Sequence, residues 1–205
     1  MVADQLLARD ITDPRVIAAM DAVPREAFVA ASLREHAYED HPLSIGAGQT
    51  ISQPYIVARM TQLLAVSPGD HVLDVGTGSG YQAAVLAELG CLVTSVEREP
   101  SLARDARQRL EALGYADRVT VTTGDGTLGL PDGAPWDGII VAAAAPEVPD
   151  ALRNQLGEGR RLVIPVGTRR EQQLLVVERH GGEWLERPDG ACVFVPLIGE
   201  AGWRA

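Results

Sequence analysis

The stretch "HVLDVGTGSGYQAAVLAELG", His71 to Gly90, decides how this chain of 205 residues folds. Val72 to Val75 form a short apolar run of the kind found in buried strands. Gly76, Gly78 and Gly80 follow at two-residue spacing. An apolar helical pattern then runs to Gly90, which closes it. Strand, glycine turn and helix together open a βαβ unit. Glycine lets the backbone turn at positive φ and lets a ligand approach the main chain. The start of a helix adds free N–H groups.

Outward from this stretch the texture repeats. "LVTSVER" reads as a second strand. "SLARDARQRLEALG" reads as a helix, with Ser101 as its cap and Gly114 beyond its end. "VTVTTGD" and "DGIIVAAA" read as strands three and four, "PDALRNQLG" as a helix and "RLVIPVG" as strand five. "QLLVVERHGGEWLERPDGACVFVPL" reads as strand, Gly-Gly turn, strand, and adds an antiparallel edge. Strands alternating with helices imply a mostly parallel, doubly wound α/β sheet covered on both faces.

Upstream the pattern is helical. In "DPRVIAAMDAVP", Asp13 can cap and Pro14 can open a helix that carries Val16, Ile17, Met20 and Val23. His41 to Pro54 shows no period and reads as a loop. Tyr55, Ile56, Met60, Leu63 and Leu64 then give a helix, with Ser52 or Gln53 near its start and Pro54 in its first turn. One domain over 1–205 is expected, with 1–65 as a helical cap and substrate loop and 70–205 as the α/β core.

The formal net charge of -10 and the lack of any basic run argue against a nucleic-acid binder. Arg104, Arg107 and Arg109 form the densest basic cluster and read as a solvated helix face. Cys91 and Cys192 make neither a CxxC nor a metal spacing, and each is expected as a buried thiol in a strand. No metal is expected. The N-terminus lacks the pattern of a signal peptide, and "GIIVAAAAP" is too short to span a bilayer. A cytoplasmic protein, not bound to membrane and monomeric, is expected.

Dinucleotide sites favour G-x-G-x-x-G, but here the sixth position is Tyr81. G-x-G-x-G instead suits S-adenosylmethionine, which has no pyrophosphate to cradle. Gly76, Thr77, Gly78 and Gly80 are therefore candidate cofactor residues. Glu97, 21 residues beyond Gly76, ends the second strand beside Arg98 and can accept hydrogen bonds from both ribose hydroxyls. Asp125 and Gly126 end the third strand at the same sheet edge, where Asp125 can accept from the adenine amino group. An Asp-Gly pair also simply makes a turn.

"LSIGAGQTISQPYIVARMTQLL" followed by "VLDVGTGSGYQAAVLAELG" closely resembles protein-L-isoaspartate O-methyltransferase. The resemblance extends through "VPREAFV", "GDG", "IIVAAAAPEVPDAL" and "RLVIPVG" to "VFVPL". It implies a Rossmann-like seven-stranded methyltransferase sheet with an unusual order of the last strands. It implies an S-adenosylmethionine-dependent enzyme that methylates the free α-carboxyl of L-isoaspartyl residues in damaged peptides and proteins. The ester then closes spontaneously to a succinimide that can reopen to aspartate.

By the same resemblance, "GQTISQP" is the substrate segment, Gln49, Thr50, Ile51, Ser52, Gln53 and Pro54, and Ser52 is the active-site serine. Ser52 could instead be only a helix cap. The substrate carboxylate is ionised at neutral pH and needs no general base. His36, His41, His71 and His180 are assigned no catalytic role. Ala142 to Ala145 leave room at the sheet edge, and Ile198 stands where some relatives carry a ligand-binding threonine. A related aspartate methyltransferase with one dedicated peptide partner is the alternative. Those relatives usually carry a C-terminal extension, and this chain stops soon after "VFVPL".

Overall fold

A computed structural model describes residues 1–204. Its centre is a seven-stranded sheet in the order β5-β4-β3-β6-β7-β8-β9. These strands are β3 (His71–Val75), β4 (Leu92–Glu97), β5 (Val119–Thr123), β6 (Trp136–Val141), β7 (Leu156–Gly167), β8 (Gln172–His180) and β9 (Glu183–Cys192). β3 to β7 run parallel, and β8 and β9 close the sheet as an antiparallel hairpin. The last strands therefore follow chain order, with β9 at the edge.

Alternation along the strands sends side chains to two faces. Val72, Val93, Ile140, Val163 and Val176 meet α1 (Pro14–Ala22), α2 (Pro54–Leu64) and α3 (Tyr81–Glu88) in one cluster, which also takes Leu6 and, from α4 (Pro100–Ala112), Leu110. Leu73, Val75, Ile139, Val141, Leu162 and Ile164 meet Leu152 of the short α5 (Asp150–Asn154) in the other. The doubly wound α/β fold is thus present.

Local chemistry explains most boundaries. Asp13 caps α1 by accepting from the Arg15 N–H, with Pro14 at the first position. Glu99, not Ser101, caps α4; its carboxylate accepts from the Ser101 N–H and hydroxyl. A longer side chain one residue before Pro100 reaches the orphan donor, so the serine becomes the partner and not the cap.

Two further expectations need correction. The span 41–54 is not all loop. It holds a hairpin of β1 (Leu43–Gly46) and β2 (Gln49–Ile51), paired antiparallel through Leu43↔Ile51 and Ser44↔Thr50. Cys91 lies one residue before β4, buried, and Cys192 at the end of β9 is half-buried. Burial pushes both thiols up to about 11. No helix is long and apolar enough to cross a membrane among the described residues.

Candidate active site

The connection from β3 goes to one side, through β4 to β5, while β6 pairs on the other side of β3. Such a reversal leaves a crevice at the carboxyl ends of the strands. Here it is an open cleft whose walls come from the turn after β3, the end of β4, the segment from Gln49 to Ser52 and the chain after β9.

The floor is the turn after β3. Gly76, Gly78 and Gly80 have φ of 94°, 51° and 92°. A Cβ on Gly78 would lie 3.2 Å from Ile45 Cδ1 of the hairpin, so the missing side chain lets β1 close over the turn. Arg109 of α4 donates to the Ser79 carbonyl at 2.7 Å, and Arg107 to the Val121 carbonyl at 2.9 Å. Arg104, paired with Asp105, and Arg107 are exposed, while Arg109 is half-buried. The expected solvated face holds for Arg104 and Arg107; Arg109 departs from it and braces the glycine turn.

Glu97 ends β4, lines the cleft and is 6% exposed. Its Oε2 accepts from the Gly78 N–H at 2.8 Å and its Oε1 from the Glu99 N–H at 3.0 Å. A carboxylate has about four acceptor positions. Two remain for a ligand diol, and the carboxyl group is held rigid by the turn it serves. Beneath it, Asp74 is fully buried and accepts from the Ser95 hydroxyl at 2.6 Å through Oδ2, while Oδ1 has no partner. Burial pushes Asp74 up to about 7; the Ser95 hydrogen bond opposes this, and the Glu97 charge adds to it.

Gln49, Thr50, Ile51 and Ser52 form one wall, Phe194 to Ile198 face the cleft too, and Ala142 and Ala143 follow β6 at its edge. Among the described residues, neither the Thr50 nor the Ser52 hydroxyl has a protein partner. The N-cap of α2 is Gln53, without a side-chain cap bond, so Ser52 does not cap that helix. Ser52 is fixed through its backbone, its carbonyl accepting from Arg25 Nη2 at 2.7 Å.

Of the expected site residues, Gly76, Thr77, Gly78, Glu97, Arg98 and Gly126 meet Gln49 to Ser52 around the cleft. Four others stand outside its walls. Gln53 donates to the Asp40 carbonyl at 2.9 Å, and Pro54 is buried at the start of α2. Gly80 is the N-cap of α3 and packs against Leu110. Asp125 accepts from the Thr127 N–H and hydroxyl and from the Glu200 N–H at 2.7 Å, which ties the C-terminal turn to β5. Burial opposes its ionisation, but these hydrogen bonds and Arg98 outweigh that and hold its carboxyl below the usual range. Ser79, Tyr81, Gln82 and Phe194 join the cleft without having been singled out. "VFVPL" was the one sequence signal for the last of these.

The donor set fits S-adenosylmethionine. It offers a half-used buried carboxylate for a ribose diol, a floor of glycine main chain, and small alanines beside them. Among the described residues no group of three or more His, Cys, Asp or Glu could hold a metal ion.

Comparisons with known proteins agree. A family model described as protein-L-isoaspartate(D-aspartate) O-methyltransferase matches residues 1–202. Protein-L-isoaspartate O-methyltransferase 2 of Pelobacter propionicus is 57% identical over 99% of this chain and 91% of its own length. The protein-L-isoaspartate O-methyltransferase of Methanoculleus marisnigri is 53% identical over 100% and 92%. A solved protein-L-isoaspartate O-methyltransferase superposes with a TM-score of 0.87 at 30% identity, over 96% of this chain and 65% of that one. A structure from Plasmodium falciparum, described as a protein-L-isoaspartate O-methyltransferase in complex with S-adenosyl-L-homocysteine, gives 0.82 at 25% identity and covers 96% of both chains.

Proposed function

The chain belongs to the protein-L-isoaspartate(D-aspartate) O-methyltransferase family, and from that premise we propose how its own residues divide the work of methylating isoaspartyl carboxylates. It is an S-adenosylmethionine-dependent protein-repair methyltransferase acting on the free α-carboxyl of L-isoaspartyl residues. The observation that carries the division is the cleft itself, in which Glu97 and the glycine turn face Gln49 to Ser52 across one open space.

Glu97 and the main chain of Gly76 to Gly78 would hold the cofactor, in a cleft that Arg98 and Gly126 also line. Asp125 serves this corner by fixing Thr127 and the C-terminal turn. Bound S-adenosylmethionine supplies an electrophilic methyl group. Gln49 to Ser52 hold the substrate, with the free hydroxyls of Thr50 and Ser52 donating to its carboxylate. Gln53 and Pro54 support that loop by starting α2. The carboxylate is ionised well below neutral pH, so it attacks without a general base. Ser52 is then an orienting residue. Aligning nucleophile and methyl in one line can contribute about 7–11 kcal/mol in favourable cases.

The remaining readings are of the same kind. A single unit over 1–205 is supported by the shared cluster of Leu6 and Met20 with Val85 and Leu86. A monomer is supported by a cleft built within one chain. A reducing cytoplasm is supported by two cysteines that stay unpaired. Peptide recognition without nucleic acid fits the charge of -10.

Two substitutions test the division. Glu97→Gln should weaken S-adenosylhomocysteine binding by about 10- to 100-fold, the worth of a hydrogen bond to a charged group. Ser52→Ala should reduce kcat/KM for an isoaspartyl peptide by a similar factor and leave that binding constant unchanged. Both lesions appearing in the same constant would contradict the division.

A further inference from the structure

Arg25 is fully buried in a short helical turn, Arg25–Phe28, ahead of the substrate loop. Its Nε donates to the Ala37 carbonyl at 2.7 Å and its Nη2 to the Ser52 carbonyl at 2.7 Å. Its guanidinium lies 4.9 Å from the centre of the Tyr81 ring. Its Nη1 is buried with no partner. Among the described residues no carboxylate comes within ion-pair distance of it. Asp40, an acid whose charge it feels, is engaged by Arg9 at 2.5 Å.

Burying an ion costs several kcal/mol, and a carboxylate partner is the ordinary compensation. Two carbonyls and an aromatic face compensate only in part. Joining a loop to a helix would need no more than a neutral donor. The placement of the charge is therefore informative. Ser52 and Tyr81 are both walls of the cleft, one in the substrate loop and the other opening α3 behind the glycine turn. One planar group spans the two. It also leaves an unpaired positive charge directly behind Ser52, where a substrate would bring a carboxylate. In a wall with little water, that charge acts more strongly than one at the surface.

We propose that Arg25 is a positioning residue for methyl transfer: it fixes Ser52 against the cofactor turn and favours the incoming carboxylate with its unpaired charge. The role rests on the assignment of Gln49 to Ser52 to the substrate. It also answers how a chain of net charge -10 accepts an anionic group, since the compensating charge is local and buried.

Arg25→Met removes the charge and both donors, and Arg25→Lys keeps the charge but loses the planar fork. For the wild type and each variant, kcat and KM are measured with an isoaspartyl peptide, and the Kd of S-adenosylhomocysteine by calorimetry. The Met variant should raise peptide KM at least tenfold with cofactor Kd within threefold, and the Lys variant should fall between it and the wild type. A merely structural role would move both constants together through Tyr81. Parallel shifts, or an unchanged KM in the Met variant, would overturn the proposal. If the Met variant binds no S-adenosylhomocysteine and does not unfold cooperatively, the Lys variant decides by the same split. A wild type inactive on the peptide would overturn the functional assignment and this role with it; an active wild type with unshifted variants overturns the role alone.

Discussion

Asp74 shows how much a single residue in the glycine motif is under strain. Its carboxyl sits at about 7, against about 3.9 for a free aspartate. Between those values the unfolded chain has released a proton that the folded chain keeps. Stability from this group therefore falls as pH rises from about 4 to about 7 and stays at its lower level above. Asp74→Asn removes the dependence. Urea unfolding at pH 5 and pH 8 should show the wild type losing roughly 2–3 kcal/mol more than the variant over that interval. Equal losses would show that Asp74 is ionised throughout. Asp74 stands in "HVLDVGTGSG" without a legible role, because sequence does not reveal that the Ser95 hydroxyl is the one side-chain partner of its carboxyl among the described residues. Glu97 was legible, since a strand end at a fixed distance from a glycine turn has a chemical meaning. Arg25 was not, because its partners lie 12 and 27 residues away in segments without periodicity.

At the scale of elements, the hairpin of β1 and β2 joins the Gln49 to Ser52 wall of the cleft to the glycine turn. Its two-residue turn, Ala47-Gly48, has positive φ at both positions, 50° and 70°. Alanine is poorly suited to that conformation, which Asn and Gly adopt readily. Ala47→Asn should stabilise the fold by about 0.5–1 kcal/mol, a rise of about 2 °C in Tm for a chain of this size. A fall in Tm would mean that the turn is not of this type. The same alanine hid the hairpin from sequence reading. Asn-Gly would have announced the turn, whereas strands of four and three residues are too short to show a period. The parallel core was easier. Most of its strands are apolar runs bounded by glycine or a charge, and α1 and α4 carry side-chain caps at their starts. α5 was expected to be longer, but β7 begins at Leu156, where Leu156 pairs with Trp136 across a bulge and ends the helix early.

Across the whole molecule, distant segments converge on one sheet edge. The N-terminal region supplies Arg25, the hairpin supplies Ser52, β3 and β4 supply the glycine turn and Glu97, and the chain after β9 supplies Phe194 to Ile198. Arg59 of α2 helps hold the ends together, pairing with Asp10 at 2.9 Å and with Asp189 of β9 at 2.6 Å. The convergence suits the proposed meeting of a carboxylate and a methyl group in a space that no single element encloses. The direct test is methyl transfer from labelled S-adenosylmethionine to two short peptides that differ in one residue, L-isoaspartyl in one and normal L-aspartyl in the other. The account predicts label on the isoaspartyl peptide alone. Equal labelling of both, or label only on the aspartyl peptide, would contradict it.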